Sequence, residues 1–104
     1  MSFKTLALIF FALLSISGIV QADAESAKAT ASGICAGCHG AHGISASDMY
    51  PNLAGQKKPY LANALKAYRD KTRTNAMMNA MASSLKDQDI EDIAGYFSSL
   101  TPGH

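Results

Sequence analysis

The sequence predicts an all-α fold of three to four helices, and three observations lead to this prediction. Beyond residue 22 the chain has no valine and only four isoleucines, so β-branched residues are too scarce for a central sheet. Leu61, Leu65 and Tyr68 recur at the spacing of one helix face. Two cysteines and a histidine fall within residues 35–39, a spacing that one tight helical turn would present on one side. We therefore expect helices packed around a shared centre.

The N-terminal segment has the features of an export signal. Lys4 precedes an uncharged apolar run at residues 6–20, and Val20-Gln21-Ala22 offers small or apolar residues to a signal peptidase. We predict a signal peptide at residues 1–22 and a single domain at 23–104. The alternative is an uncleaved anchor, but the run is shorter than the roughly 20 residues that a membrane helix needs. The prediction is thus a periplasmic protein with no membrane span after cleavage.

Composition limits what the exported domain can do. Without residues 1–22, 82 residues remain, with eight Lys and Arg against eight Asp and Glu. This balance argues against nucleic-acid binding, which requires a clustered basic face, and together with the small size it favours a monomer. A domain this small commonly needs a metal, disulfides or a large cofactor for stability.

Helices and loops follow from periodicity and from breaker residues. An alanine-rich first helix is expected at residues 23–34, running into the cysteine motif. Glycines and a proline predict a loop over residues 40–56. An amphipathic helix is predicted from about Pro59 to Lys71, and a last helix from Asp87 to Leu100.

Residues 35–39 read Cys-Ala-Gly-Cys-His, the C-x-x-C-H signature for covalent attachment of a c-type haem. In such a site the two thiols form thioethers with the porphyrin and the imidazole becomes an axial iron ligand. A thiol-disulfide redox pair is the first alternative, but the βαβ context that it requires is missing. A zinc site is the second, but it requires four ligands and the chain has only one cysteine pair. The motif therefore predicts one covalent haem c with its iron.

The second axial position requires another ligand, and a methionine sulfur there is typical of electron-carrying cytochromes. Met49 lies close to the motif, which makes it a poor candidate for the opposite face. Asn75 and Asn79 are expected to weaken helix formation between residues 71 and 82. Spacing alone does not decide among the three methionines of that segment. The four candidates are Met49, Met77, Met78 and Met81.

Five segments together resemble the class I c-type cytochromes, in particular the small bacterial single-haem members and the single halves of their dihaem relatives. They are distributed over most of the chain beyond residue 22, from residue 35 to residue 100, in the order found in that family. They are CAGCHG at 35–40, YPNLAGQ at 50–56, Tyr60-Leu61, RTNAMMNAM at 73–81 and DQDIEDIAGYFSSL at 87–100. The resemblance implies the class I cytochrome c fold, with the helices around one haem.

The same resemblance implies a role for each matching position. Cys35 and Cys38 would hold the haem by thioethers, and His39 would be the proximal iron ligand. Pro51 would offer its carbonyl to the second ring nitrogen of that histidine. The family's ligating methionine lies seven residues before the leucine that precedes the last helix, which identifies Met78 as the other axial ligand. Lys86 stands where the family often has a capping serine, so Asp87 is expected to supply the cap.

The expected function is electron transfer, with the iron cycling between Fe(III) and Fe(II) and no enzymatic activity. The partners would be redox proteins that act as donor and acceptor. Lys57 and Lys58 either contact an acidic partner or serve solubility. The alternative is a haem-based gas-binding or sensor protein, or the haem subunit of a specific oxidoreductase. Occupancy of the sixth iron position distinguishes the carrier from the gas binder.

Overall fold

The computed structural model describes residues 25–103, so the predicted signal peptide at 1–22 lies outside the described residues, as does His104. The described part is helical and contains no strand, as the sequence predicts. Its helices, numbered here in chain order, are α1 at residues 25–39, α2 at Lys58–Arg69, α3 at Ala76–Ala82 and α4 at Asp87–Ser98.

Helix α1 continues through the cysteine motif and contains a wider turn. It is α-helical at residues 25–30, π-helical at Ala31–Cys35 and α-helical again at Ala36–His39. The amide of Ala36 reaches back to the carbonyl of Ala31, the five-residue step that defines a π turn. Such turns are frequent at functional sites. This one lies directly before the two residues that separate the cysteines.

The core lies where α4 packs against α1 and α2. Small residues on α1 allow this close approach, since Ala27 and Ala31 are both buried. Phe97 and Ile90 of α4 are the largest fully buried side chains. The buried core cluster consists of Ala27, Ala31, Leu61, Ala62, Ile90, Ile93, Ala94 and Phe97.

The bounds of α2 and α4 agree closely with their predicted bounds. Helix α2 ends two residues earlier than expected, because the chain reverses at Lys71, which has a φ of 63°. Helix α4 begins at Asp87 as predicted, but Asp87 does not cap it. Its carboxylate accepts from Arg69 Nη1 at 2.7 Å. Instead Asp89 Oδ2 accepts from the Lys86 amide at 2.9 Å, an arrangement that satisfies a free donor at the helix start.

The expectation that two asparagines weaken helix formation between residues 71 and 82 is wrong, because α3 occupies this segment. Asn75 is its N-cap and its Oδ1 accepts from the Met78 amide at 3.0 Å. Asparagine is unfavourable inside a helix but among the best residues at this position. The capping residue, rather than the composition of the segment, decides where α3 starts.

No helix within residues 25–103 combines the length and the apolar character needed to cross a membrane.

Candidate functional site: a cavity that gathers the cysteine motif and the methionines

A cavity of about 430 Å³ opens between α1, the loop at residues 49–56, α2 and α3. This volume falls within the range of about 300–1,000 Å³ typical of small-molecule and cofactor sites. Its walls include the side chains that the sequence identified as candidate ligands: Cys35, Cys38, His39, Met49, Met77, Met78 and Met81. Apolar and aromatic side chains form much of the rest, among them Leu53, Leu61, Leu65, Tyr68 and Phe97.

His39 closes α1 and lies on the cavity wall, with only 8% of its surface exposed. Its Nδ1 and the carbonyl oxygen of Pro51 are 2.8 Å apart. Because a carbonyl can only accept, Nδ1 carries the proton and the lone pair lies on Nε2. The ring of Tyr50 packs edge-on against the imidazole, with centroids 6.5 Å apart. The imidazole is thus held in one tautomer by the loop that follows α1.

Glycines allow that loop to fold back onto α1. Gly40, directly after the histidine, has a φ of 91°, and a side chain there would overlap the Ile44 backbone. The Gly43 carbonyl accepts from the amides of Leu53 and Ala54 at 2.8 and 2.9 Å. These two bonds bring the segment around Pro51 next to the end of α1. This turn requires a positive φ, which only glycine adopts without steric cost.

Cys35 and Cys38 are partly buried and are not joined by a disulfide. They lie on the π turn and the final turn of α1, and both border the cavity. Burial raises the pKa of the Cys35 thiol. Nucleophilic and metal-binding thiols have a lowered pKa instead, so the environment of Cys35 does not resemble that of a reactive redox cysteine.

The methionines differ in exposure. Met78 is partly buried, whereas Met77 and Met81 are each 48% exposed and Met49 is 83% exposed. The amide of Met78 is bound by the cap of α3. All four side chains border the cavity, so the structure brings them together without selecting one by proximity.

The groups that hold α3 beside the cavity are not indicated by any pattern in the sequence. Asn79 Nδ2 donates to the carbonyls of Tyr68 and Arg73 at 2.7 and 2.9 Å. The Arg73 guanidinium lies 4.8 Å from the centre of the Tyr68 ring, and both residues border the cavity. Their sequence signal is weak, since an asparagine inside a segment of helix formers gives no indication of its partner.

The donor set in this cavity fits a haem. Two thiols lie one helical turn apart beside a buried imidazole, and thioether sulfurs lie on the same cavity wall. Among residues 25–103, no three His, Cys, Asp or Glu side chains are grouped to hold a metal ion. One imidazole, two thiols and an apolar pocket together define the attachment site of a c-type haem protein.

Comparisons with known proteins agree that the chain is a c-type haem protein. The family model described as Cytochrome c matches residues 24–101. Cytochrome c-554(548) of Halomonas halodenitrificans is 49% identical over 70 residues, which are 64% of this chain and 84% of that protein. A protein of Thiomonas intermedia named thiosulfate dehydrogenase electron acceptor is 41% identical over 69 residues, 65% of this chain and 32% of that one.

A solved structure agrees as well. Cytochrome c4 of Acidithiobacillus ferrooxidans superposes with a TM-score of 0.69 at 32% identity, covering 76% of this chain and 51% of that one. Its structure is described as supporting a complex-induced tuning of electron transfer. The chain spans 43% to 47% of the curated cytochrome c4 sequences that it matches. It therefore corresponds to about one half of a cytochrome c4.

The chain belongs to the cytochrome c family. It is a class I c-type cytochrome similar to one half of a dihaem cytochrome c4. Family membership and the motif at Cys35, Cys38 and His39 together support one covalent haem c with its iron. Family membership supports a c-type haem electron carrier.

Proposed function

We propose that the chain is a periplasmic electron carrier in which His39 and Met78 are the two axial iron ligands, and that it has no enzymatic activity. The observation that carries the proposal is one cavity bordered by both cysteines, the buried histidine and the methionines. When bound, the haem supplies a one-electron couple between Fe(III) and Fe(II).

On the proximal side, Pro51 sets the state of the imidazole. Its carbonyl accepts the Nδ1 proton of His39 at 2.8 Å, so Nε2 remains free to bind a metal. A hydrogen bond to the distant nitrogen also fixes the ring orientation and raises the basicity of the ligand. Cys35 and Cys38 hold the porphyrin edge in this proposal, so His39 does not have to retain the cofactor alone.

On the opposite side, Met78 supplies the thioether. It is less exposed than Met77 and Met81, and it occupies the ligand position that the family resemblance implies. With both axial positions filled by side chains, little has to rearrange when an electron enters or leaves. Apolar walls exclude water and favour a high reduction potential.

Carbon monoxide tests the axial assignment directly, because it binds ferrous haem only where a position is open or easily vacated. The visible spectrum of the ferrous protein should not change when the gas is added, whereas Met78→Ala should bind it. Met81→Ala is the matched control, since Met81 borders the same cavity one turn further along α3. It should behave like the wild type.

Two outcomes would contradict the assignment. Gas binding by the wild type would favour the haem-based gas binder or sensor. Gas binding by Met81→Ala but not by Met78→Ala would transfer the ligand role to Met81.

Export is the second part of the proposal. Residues 1–22 have the pattern of a signal peptide, and haem attachment to a C-x-x-C pair suits an oxidising compartment. The N-terminal sequence of the protein isolated from a periplasmic fraction should begin at Asp23. An intact N-terminus with the protein in the membrane fraction would instead indicate an uncleaved anchor.

Docking to a redox partner involves Lys57 more than Lys58 in this proposal. Lys58 Nζ lies 3.9 Å from Glu91 Oε2, and Lys66 Nζ lies 3.6 Å from the other carboxylate oxygen. Lys57 is exposed at the start of α2. Charge reversal by Lys57→Glu should slow transfer with an acidic partner and weaken its salt dependence. If both quantities are unchanged, Lys57 serves solubility only.

A further inference from the structure

The side-chain amide of Asn79, directly after Met78, connects three parts of the chain. Its Oδ1 accepts from the Asn75 amide at 2.9 Å. Its Nδ2 donates to the Tyr68 carbonyl at 2.7 Å and to the Arg73 carbonyl at 2.9 Å. An asparagine amide has two donor hydrogens, and both are used here. Asn79 therefore ties α3 to the end of α2 and to the turn that follows it.

Asn75 extends this connection to the backbone of Met78. Its Oδ1 accepts from the Met78 amide at 3.0 Å, and its carbonyl accepts from the Asn79 amide at 2.8 Å. The two asparagines thus bond to each other and to their neighbours on both sides. A continuous path of hydrogen bonds leads from the Tyr68 carbonyl through Asn79 and Asn75 to Met78.

The end of α2 and the turn after it, to which Asn79 bonds, are stabilised by further contacts. The Ala67 carbonyl accepts from the amides of Thr72 and Arg73 at 2.9 and 3.1 Å, which closes the turn after α2. The Arg73 guanidinium packs over the Tyr68 ring at 4.8 Å. Helix α2 in turn packs against the core helix α4.

Helix α3 needs such an anchor because it is short. It has seven residues, whereas isolated helices shorter than about 12–15 residues are marginal in water. Only Ala82 of α3 is buried, so apolar packing adds little support. The position of α3 relative to the cavity therefore depends on bonds such as those of Asn79.

We propose that Asn79 is a positioning residue for the axial methionine, acting through Asn75 and the α3 backbone. The inference rests on the proposed function, in which Met78 binds the iron. A ligand carried by the chain competes with dissolved ligands through its effective concentration and the conformational entropy it loses on binding. By holding α3 against α2 beforehand, Asn79 reduces that loss and keeps the sulfur at the metal.

The test is a titration of the ferric holoprotein with imidazole, which binds only where the methionine is displaced. Asn79→Ala should raise the apparent imidazole affinity by about 5- to 30-fold, the ratio that corresponds to one or two kcal/mol. Asn79→Asp keeps an acceptor for the Asn75 amide but loses both donors, so it should show a similar rise. Ser83→Ala is the matched control, since within residues 25–103 the Ser83 Oγ bonds to the Ala80 carbonyl at 2.8 Å, in its own turn of the chain. It should leave the affinity unchanged.

A double variant separates positioning from general destabilisation. In a Met78→Ala background the competing sulfur is gone, so adding Asn79→Ala should not change the imidazole affinity further. If Asn79→Ala does not yield holoprotein, Asn75→Ala is titrated instead, because it removes the next bond in the same path. The same rise is expected for Asn75→Ala.

The inference and the proposed function fail in different ways. If Met78→Ala raises the imidazole affinity but neither asparagine variant does, the positioning role is wrong and the methionine assignment stands. If Asn79→Ala lowers only the unfolding free energy, its role is structural and the inference is again overturned. If Met78→Ala itself has no effect on imidazole binding, the axial assignment is wrong.

Discussion

The two sides of the cavity differ in how the chain places its candidate ligands. On the proximal side, His39 is contiguous with Cys35 and Cys38, and it is 8% exposed. On the distal side, Met78 is partly buried and lies between Met77 and Met81, which border the same cavity and are each 48% exposed. The first candidate ligand is specified by a local motif, whereas the position of the second candidate depends on how a short helix is anchored.

The means of support differ as well. Backbone groups hold the proximal loop, where the Gly43 carbonyl accepts two amides and Gly40 adopts a left-handed φ. Side-chain amides hold the distal segment, through Asn75 and Asn79. The backbone support requires glycine at position 40, whereas the side-chain support can be removed by substituting a single asparagine. We therefore expect distal substitutions to alter ligand exchange, and proximal substitutions to alter folding.

The largest effect should come from removing both haem attachment points. The double substitution Cys35→Ala with Cys38→Ala should leave an apoprotein that is largely unfolded, because a domain of this size relies on its cofactor for stability. Loss of the helical circular dichroism signal and of cooperative thermal unfolding would be the measurement. A well-folded helical apoprotein would show instead that the core formed with α4 is sufficient.

The next largest effect is expected in the core that both sides share. Phe97 is 1% exposed, borders the cavity, and its carbonyl accepts from the Gly55 amide at 3.0 Å. Phe97→Ala should lower the free energy of unfolding by about 3–5 kcal/mol, the range for such truncations. Urea unfolding of the holoprotein measures it. Gln88→Ala, at an exposed position of the same helix, should change it by less than about 0.5 kcal/mol.

A proximal glycine should give an intermediate effect. Gly40→Ala forces a side chain into a left-handed backbone and against the Ile44 backbone, so it should cost about 1–3 kcal/mol of unfolding free energy. Gly33→Ala is the matched control, because among residues 25–103 no atom outside the neighbouring turns of its own helix lies within 4 Å of a side chain added there. Equal urea midpoints for the two variants would contradict the role assigned to Gly40.

The smallest effect should be a pH dependence at the start of α4. Hydrogen bonding to Arg69 lowers the pKa of Asp87 below its usual 3.8. A carboxyl with a lowered folded pKa stabilises the protein above its unfolded pKa, and this contribution is lost as the pH falls through the folded value. The side chain is 76% exposed, so solvent screening keeps the contribution small.

Stability curves of the wild type and Asp87→Asn test this prediction. The wild type should be slightly more stable at pH 7, and the two curves should converge as the pH falls below the ordinary carboxyl value. A difference between the two proteins that does not change with pH would exclude the ion pair as its cause.

Much of the fold was predictable because periodic helices and glycine-rich loops are local features. The starts of α2 and α4 follow from Pro59 and from the acidic first turn of α4, and the structure agrees with both. Helix α3 was not predicted, since the effect of Asn75 depends on whether it lies inside a helix or at its cap. The Asp87 cap was wrong for a similar reason: Arg69, 18 residues earlier in the chain, binds that carboxylate.

In the candidate site, too, the features set by local sequence were predictable and those set by tertiary contacts were not. The C-x-x-C-H motif places three groups on one helical turn whatever the rest of the chain does, so local sequence is sufficient to find them. The choice among Met77, Met78 and Met81 depends on tertiary packing, which spacing cannot supply. The bonds of Asn79 to Tyr68 and Arg73 join residues 6 to 11 positions apart, and no local pattern indicates them.

The π turn in α1 changes the direction in which the side chains that follow it point, relative to those that precede it. Ala27, Ala31, Cys35 and His39 are spaced four residues apart, and at 3.6 residues per turn such a series drifts by about 40° at each step. Three steps would rotate His39 about 120° away from the face that carries Ala27. The π turn at Ala31–Cys35 has more residues per turn than an α-helix. Each of its residues therefore rotates by a smaller angle, which reverses part of this drift. One unbroken helix can therefore bury its alanines against α4 and still direct its histidine to the cavity.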